Sequence, residues 1–470
     1  MMRLLPEKIF DEKQVIVLDK DRKKIAKRQT SNFYQVLPFT TGKSDSIKNA
    51  LSDWEKEVGA FSRRLLNRDL SAKSFNTDHL LEGVLDRVES LPEHEDEIHT
   101  FFSDLLLQRD GGLNVTHPSM FMYIQGNPAT KKKLGTFLAD LTHHALEEVQ
   151  IEEIRRIFMS EQNETLLDKM IVNLLPNLTE KKYSVEHALY SSLPIKLLGE
   201  DLIYLAQHPQ YFLKEINHLL KYYLHYVVSQ TTIKINNFES SNWHQPSKLF
   251  YTIHHETTVT SRRKTINSGM GLLNSASENI FVHELTMAQL SCNSHNQSLE
   301  QDKSKIMTYD EVYKYFESLE EADQIQFLND IDLQSERILT YAGLENQVKR
   351  SVTFNEAVKQ LFNTMKITTP KEAQSRYGDH VKNIAKSHFT KRRGRLGYVL
   401  SLNQEMLILM CAVSCKDDRI TFVELLERLS QRGINFDNES STALLQLLEK
   451  INVIDKKSDS GEAQYVKPIL

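Results

Sequence analysis

The sequence predicts a mainly α-helical protein with small β segments, organised as a multi-helical body followed by a C-terminal winged-helix domain. Three observations support this class. Apolar residues recur at helical spacing from about Ser44 to Gln230, and again from about Ser261 to Met365. The stretches that favour strands are all short. The last seventy or so residues combine three capped helices with a hairpin, which is typical of a winged helix.

Four regions are expected along the chain. At 470 residues the chain is too long for a single hydrophobic core. We place a small β-containing N-terminal region at 1–60, a helical body at 61–370 with a short β-containing insert near 231–260, a basic arm at 371–396, and the winged-helix domain at 397–470.

Outside the C-terminal domain, strands are predicted in the N-terminal region and in the insert. Their positions are 14–18, 32–37, 232–235 and 249–253. The basic residues between the first two strands are typical of a solvated loop. The stretch 207–230 is rich in aromatic residues. Their helical spacing favours a core helix over a base-stacking platform.

Capping residues define the three helices of the C-terminal domain. The caps are expected at Ser401 with Gln404, at Thr421 with Glu424, and at Asp437 or Asn438. A helix stop is expected at Gly433. Residues 419–420 can form a single strand rung, while 453–455 and 463–466 flank a polar turn and predict a hairpin. We expect this domain to fold alone.

Composition and targeting signals favour a cytoplasmic protein. Charged residues make up 26% of the chain and no apolar run reaches the length of a membrane helix. The N-terminus lacks the apolar region of a signal peptide. Three cysteines provide no disulfide framework, which fits a reducing compartment. We interpret Cys411 and Cys415 as buried core thiols.

The charge pattern predicts a DNA-backbone interface. Residues 371–400 carry eight basic and two acidic side chains, a net charge of +6 in a chain of −5. An inward apolar stripe on the third helix leaves Glu439 and Glu449 outward, with Thr442 and Gln446, so that helix is poorly suited to reading bases. The arm and the wing should contact phosphates instead. The candidate DNA-binding residues are Lys386, Lys391, Arg392, Arg393, Arg395, Lys456 and Lys457. The alternative is a protein-docking winged helix with a solvated basic linker.

Catalytic and metal-binding motifs are incomplete. Residues 41–44 match the end of a phosphate-binding loop, but Leu37 occupies the position of its first glycine. The sequence from His283 has Met287 where a zinc protease has its second histidine. Residues 143–148 lack the second Glu-x-x-His unit of a dimetal bundle and favour a solvated helix face. Residues 254–256 and 262–264 form either a site or polar strand ends. We therefore predict no catalytic residue, metal ligand or cofactor, and a cryptic metal-dependent nuclease remains an alternative.

Two C-terminal segments carry a resemblance to a known family. Residues 391–404 (KRRGRLGYVLSLNQ) and 456–467 (KKSDSGEAQYVK) resemble the C-terminus of the DptG family. These are phosphorothioation-dependent restriction proteins of bacterial Dnd systems, which serve in antiphage defence. The stretch 250–256 (FYTIHHE), residues 261–263, the length and the domain order are similar to that family too.

The resemblance implies a non-catalytic subunit of a three-protein complex that restricts DNA lacking phosphorothioate marks. The implied partners are a DptF-like P-loop ATPase, a DptH-like helicase-type ATPase and double-stranded DNA, with no membrane. A winged-helix transcription regulator is the alternative from another class, although Glu439 and Glu449 on the third helix count against it.

Overall fold

The structure of the protein is a computed structural model. The residues that the structure describes are 3–4, 15–19, 22–25, 33–42, 45–52, 54–70, 77–89, 91–108, 112–125, 134–159, 165–256, 262–296, 304–456 and 464–470. Within them the protein is mainly helical with small sheets, which confirms the predicted class at this level. None of the helices in these ranges is both long enough and apolar enough to span a bilayer.

The first nine helices of the described chain precede residue 236. They are α1 (Asp45–Ser52), α2 (Trp54–Leu65), α3 (Thr77–Leu85), α4 (Glu95–Leu106), α5 (Leu134–Ala145), α6 (Glu148–Met159), α7 (Leu166–Val172), α8 (Leu193–Ala206) and α9 (Pro209–Ile235).

The remaining helices follow a short irregular stretch, and a π-helical turn at Asn267–Gly271 separates the first two of them. They are α10 (Arg263–Ile266), α11 (Leu272–Glu278), α12 (Ile280–Ser291), α13 (Tyr309–Glu317), α14 (Glu321–Tyr341), α15 (Phe354–Thr368), α16 (Lys371–His388), α17 (Gln404–Cys415), α18 (Phe422–Gln431) and α19 (Asn438–Lys450).

The described strands are short and form four sheets. They are β1 (Val15–Asp19), β2 (Arg22–Ile25), β3 (Arg68–Asp69), β4 (Thr179–Glu180), β5 (Thr252–Ile253), β6 (Thr390–Arg392), β7 (Tyr398–Leu402), β8 (Ile420–Thr421), β9 (Ile454–Lys456) and β10 (Gln464–Val466). Two sheets are the antiparallel pairs β1–β2 and β3–β4. The others have three strands, in the orders β5-β7-β6 and β8-β10-β9.

Helix α9 lies at the centre of the core. It contacts α2, α5, α8, α11, α12, α16 and α17, and it buries Phe212, Tyr222 and Tyr223 completely. The predicted core helix at 207–230 is thus confirmed. The strand predicted at 232–235 is wrong, because these residues form the last turn of α9. Burial of the β-branched Thr232 and Ile233 within the core outweighs their preference for strands.

The segment expected to be a basic arm is a packed helix followed by a hairpin. Helix α16 contacts α1, α9, α11 and α12, and it buries Tyr377, Val381, Ile384 and Ala385. The arm conformation was wrong because the charge of this segment concealed an apolar stripe at helical spacing. Its last residues, from Thr390, enter β6, which pairs antiparallel with β7.

The C-terminal segment has the predicted order of elements. The Oγ1 of Thr421 and the carboxylate of Asp437 accept hydrogen bonds from the backbone N–H groups of Glu424 and Ser440, which confirms both caps. Helix α18 ends just before Gly433, whose φ of +79° favours glycine. The predicted hairpin is present as β9 and β10, and β10 also pairs with β8.

The first predicted cap of this segment is wrong. Ser401 lies in β7, where it pairs with Thr252 of β5, and the side chain of Asn403 caps α17 instead. A local cap signature cannot reveal a strand partner 149 residues away in sequence. Helix α17 buries nearly all of its residues from Met406 to Cys415, and the predicted burial of Cys411 and Cys415 is confirmed.

The N-terminal region only partly matches the expectation. The strand predicted at 14–18 is confirmed as β1, while residues 22–25, expected in a loop, pair with it as β2. Residues 33 and 35 make single parallel bridges to Ser304 and His187, so the strand predicted at 32–37 is absent there. In the insert, the strand predicted at 249–253 is reduced to β5 and a bridge from Phe250 to Asn435.

Candidate nucleic-acid interface

The β6–β7 hairpin separates its basic side chains onto two faces. Side chains alternate along a strand, so Arg392 lies on the opposite face from Lys391 and Arg393. Arg392 pairs directly with Tyr398 across the hairpin. Directly opposed residues share a sheet face, with their Cβ atoms about 5 Å apart. Arg392 is exposed, and Tyr398 keeps 47% of its surface exposed.

Lys386 joins this face from the last turn of α16. Its Nζ lies 5.2 Å from the centre of the Tyr398 ring, within the range of a cation–π contact. Arg395 is exposed in the short turn between the two strands. We call Lys386, Arg392, Arg395 and Tyr398 the basic patch. It combines three exposed cations with an exposed aromatic ring, which suits a phosphate backbone.

Lys391 and Arg393 bind the protein itself. The Nζ of Lys391 donates to the carbonyl oxygen of His254 at 2.6 Å. The guanidinium of Arg393 donates to the carbonyls of Ile253 at 2.9 Å and His254 at 3.3 Å. Burial lowers the pKa of Arg393. Both side chains therefore satisfy the carbonyls at the end of β5 and hold the hairpin against it.

The segment predicted as the wing is described in part. Lys457 lies outside the described residues, and of Lys456 the structure describes only the backbone in β9. Sequence reasoning missed Arg419, which lies 4.4 Å from the centre of the Tyr465 ring and 3.3 Å from the Asp455 carboxylate. Both contacts link the start of β8 to the β9–β10 hairpin. The sequence predicted only a very short strand at 419–420.

The exposed face of α19 carries the four side chains that were predicted to point outward. Glu439, Thr442, Gln446 and Glu449 are exposed, whereas Leu444 and Leu448 are fully buried. Two carboxylates on the exposed face would repel a phosphate backbone.

Arg262 and Thr265 hold the N-terminus of α19 against the body. Arg262 donates to both carboxylate oxygens of Asp437, at 2.6 and 2.9 Å, and to Glu256 at 2.9 Å. It also lies 3.4 Å from Glu439. Burial opposes ionisation of Asp437, but hydrogen bonds from Ser440, Thr265 and Arg262 outweigh it and lower its pKa. Residues 254–256 and 262 thus contribute to an interface within the chain.

The motifs rejected from the sequence lie mainly in the core. Lys43 and Ser44 lie outside the described residues, while Leu37 is fully buried. His283 and Glu284 are buried on α12; burial lowers the pKa of His283 to about 3 and raises that of Glu284 to about 7. Across the described ranges, no group of three or more His, Cys, Asp or Glu side chains is placed to hold a metal ion.

Comparison with known proteins adds no relative: neither a protein-family model nor a curated protein matches this chain.

Proposed function

We propose that the protein is a non-catalytic subunit of a phosphorothioation-dependent DNA restriction complex, and that it binds the backbone of double-stranded DNA through the basic patch. The observation that carries the DNA-binding part is the placement of Lys386 and Arg392 around the exposed ring of Tyr398. The two C-terminal segments that resemble the DptG family support the restriction system.

We further propose that residues 397–470 form a winged helix. Support comes from the order of elements after β7, in which one helix and one strand (α17 and β8) precede two helices and a terminal hairpin. In the sheet β8-β10-β9, the last strand of the chain, β10, lies between β8 and its hairpin partner β9. In this assignment α19 is the recognition helix and strands β9 and β10 belong to the wing.

The proposed binding does not read sequence. Helix α19 exposes Glu439 and Glu449, and its N-terminus packs on Arg262, so its base-reading end is occupied by the protein. Phosphate contacts carry no sequence information. The basic patch would therefore position the complex on any duplex, and discrimination of phosphorothioate marks would come from another element.

The partners in this proposal are a DptF-like P-loop ATPase and a DptH-like helicase-type ATPase. An assembly role fits a chain in which the described residues group no metal ligands. Co-purification of the three proteins, with and without DNA, tests it. A chain that joins neither ATPase under either condition contradicts the restriction assignment, whatever its affinity for DNA.

DNA binding is tested by the salt dependence of affinity. Each neutralised phosphate contributes about −0.9 to the slope of log affinity against log salt. A full-length variant carrying Lys386→Ala, Arg392→Ala and Arg395→Ala should flatten that slope by up to roughly 2.7 units, equally for unrelated duplexes.

The control for this measurement removes the same charge from exposed lysines elsewhere. It carries Lys182→Ala, Lys196→Ala and Lys248→Ala, all of which are exposed and outside the patch. Fluorescence anisotropy over a salt series measures both variants. Equal slopes for the two variants would mean that the patch makes no specific contact with DNA.

A further inference from the structure

A groove of about 860 Å³ opens between α15 and the preceding segment 344–352. One stripe of α15 forms its first wall, at the helical spacing 356, 359, 360, 363, 364 and 367. Apolar side chains lie in it and remain exposed, with Val352 80%, Ile367 61% and Leu344 38% accessible. Exposed apolar side chains gathered in one concavity are typical of an interaction site.

The two carboxylates that shape the groove from within, Asp332 and Glu356, already accept hydrogen bonds from the protein itself. Asp332 accepts hydrogen bonds from the backbone N–H and the hydroxyl of Ser351, both at 2.7 Å, and from Gln360 at 2.7 Å. The carboxylate of Glu356 accepts the N–H groups of Val352 and Thr353. A small-molecule site would place convergent polar groups free to orient its ligand. This groove instead offers aliphatic surface.

The same hydrogen bonds argue against an added β-strand. The N–H of Lys349 donates to the side-chain oxygen of Gln360, and the N–H of Val348 to that of Asn346. With Ser351 and Val352, four backbone donors between 348 and 352 bind side chains of the protein itself. Strand addition needs a free edge of such donors. The groove therefore suits a helix, which satisfies its own backbone.

The charge around the groove favours a helix with acidic side chains. Lys349, Arg350 and Lys359 are exposed at its rim, and their side chains make no ion pair among the described residues. Glu345 is the opposing exposed carboxylate, since Glu356 is used in the cap of α15. Among the described residues, no aromatic side chain lines the groove for base stacking. A nucleic acid is thus a poorer fit than an acidic protein segment.

We propose that this groove binds an amphipathic α-helix of a partner protein, whose aliphatic face packs on Leu344, Val352 and Ile367 and whose flanking carboxylates contact Lys349, Arg350 and Lys359. Helix-in-groove recognition uses apolar anchors at i, i+3, i+4 and i+7. The rim charges set orientation and association rate, and the apolar anchors supply most of the affinity. This site is independent of the basic patch and of DNA.

Two labelled helical peptides of roughly 20 residues, long enough to be helical in water, serve as probes. Both carry leucines at i, i+3, i+4 and i+7, and they differ only in having glutamate or lysine beside the leucines. The full-length protein should bind the glutamate peptide at least about tenfold more tightly than the lysine peptide. Val352→Glu with Ile367→Glu should abolish binding, and both side chains are exposed enough for the fold to tolerate the change.

A charge reversal and a matched control complete the test. Lys349→Glu, Arg350→Glu and Lys359→Glu together should invert the preference, so that the lysine peptide binds more tightly. Val149→Glu, which changes an equally exposed valine on α6, should leave binding unchanged. Failure of the wild-type protein to bind the glutamate peptide, an unaltered preference after charge reversal, or unimpaired binding by the Val352 and Ile367 variant would each overturn the proposal.

Discussion

Asp201 and Arg432 form an ion pair whose side chains are 0% and 4% exposed. The Nη2 of Arg432 lies 2.6 Å from one carboxylate oxygen of Asp201, and its Nε lies 3.0 Å from the other. The hydroxyl of Tyr223 also donates to Asp201, at 2.6 Å. This network joins α8 and α9 of the body to the end of α18. The C-terminal segment is therefore fixed to the core by a bidentate ion pair.

Removing Arg432 should strongly destabilise the protein. Arg432→Met leaves the Asp201 charge buried and unpaired, a change that typically costs about 3–5 kcal/mol. Denaturant unfolding of the full chain measures the loss. The control is Glu200→Gln, which breaks the neighbouring exposed pair with Lys416 (3.1 Å) and should cost less than about 1 kcal/mol. Similar losses in the two variants would show that the buried pair has no special role.

Glu284 should make stability fall as the pH rises. Its pKa is about 7 in the fold because of burial, above the ordinary glutamate value of 4.5. Between these values the folded state keeps a proton that the unfolded state has lost, so stability is greatest below about pH 4 and decreases until about pH 7. A difference of about 2.5 pKa units corresponds to roughly 3 kcal/mol.

Glu284→Gln removes this titration and should retain a hydrogen-bond partner for Tyr377. The variant should be more stable than the wild type at pH 8, and the difference should shrink towards pH 5. Unfolding at both pH values measures it, with the exposed Glu278→Gln as the control. A constant difference between pH 5 and pH 8 would contradict the assignment of this transition to Glu284.

Adjacent arginines of β6 and its turn should have separable effects. Arg393→Ala removes charged hydrogen bonds to two partly buried carbonyls and should lower stability by about 1.5–3 kcal/mol. Arg392→Ala should leave stability within about 0.5 kcal/mol and flatten the DNA salt slope by about 0.9. Thermal melting and DNA titrations of both variants decide this. If Arg392→Ala is the destabilising change, the two faces of the hairpin are reversed.

Leu448 should be a core residue of the C-terminal segment. It is fully buried on α19, and Leu448→Ala should cost about 2–5 kcal/mol. The adjacent Glu449→Ala, on the exposed face, should change stability by less than about 0.5 kcal/mol. Denaturant midpoints measure both. A small effect at Leu448 would mean that α19 packs through another face.

Local signals predicted local structure well. The caps at Thr421 and Asp437, the stop at Gly433 and the terminal hairpin depend on residues within a few positions of one another, and all are present. The errors arose where a contact with a segment distant in sequence determines the local structure. Ser401 became a strand residue because Thr252 pairs with it. The Arg262–Asp437 contact spans 175 residues and left no local signal.

The candidate interface was predicted as a cluster of charges, but its division into two faces was not. Charge counting treats Arg392 and Arg393 alike, whereas the pairing of β6 with β7 gives them different surroundings. The expectation that residues 397–470 fold alone stays a prediction. The burial of α17 makes us expect a fragment of those residues to expose a large apolar surface.

The burial of α17 has a consequence for biosynthesis. A ribosome makes the body first, and the slot between α8 and α9 that α17 fills stays open until residues 404–415 have emerged. Helix α9 then completes its contacts only after residues 404–415 have been synthesised. Interrupted translation would release a product with this slot unfilled, a substrate for chaperones and proteases. Only chains extended past residue 415 would then have this slot filled.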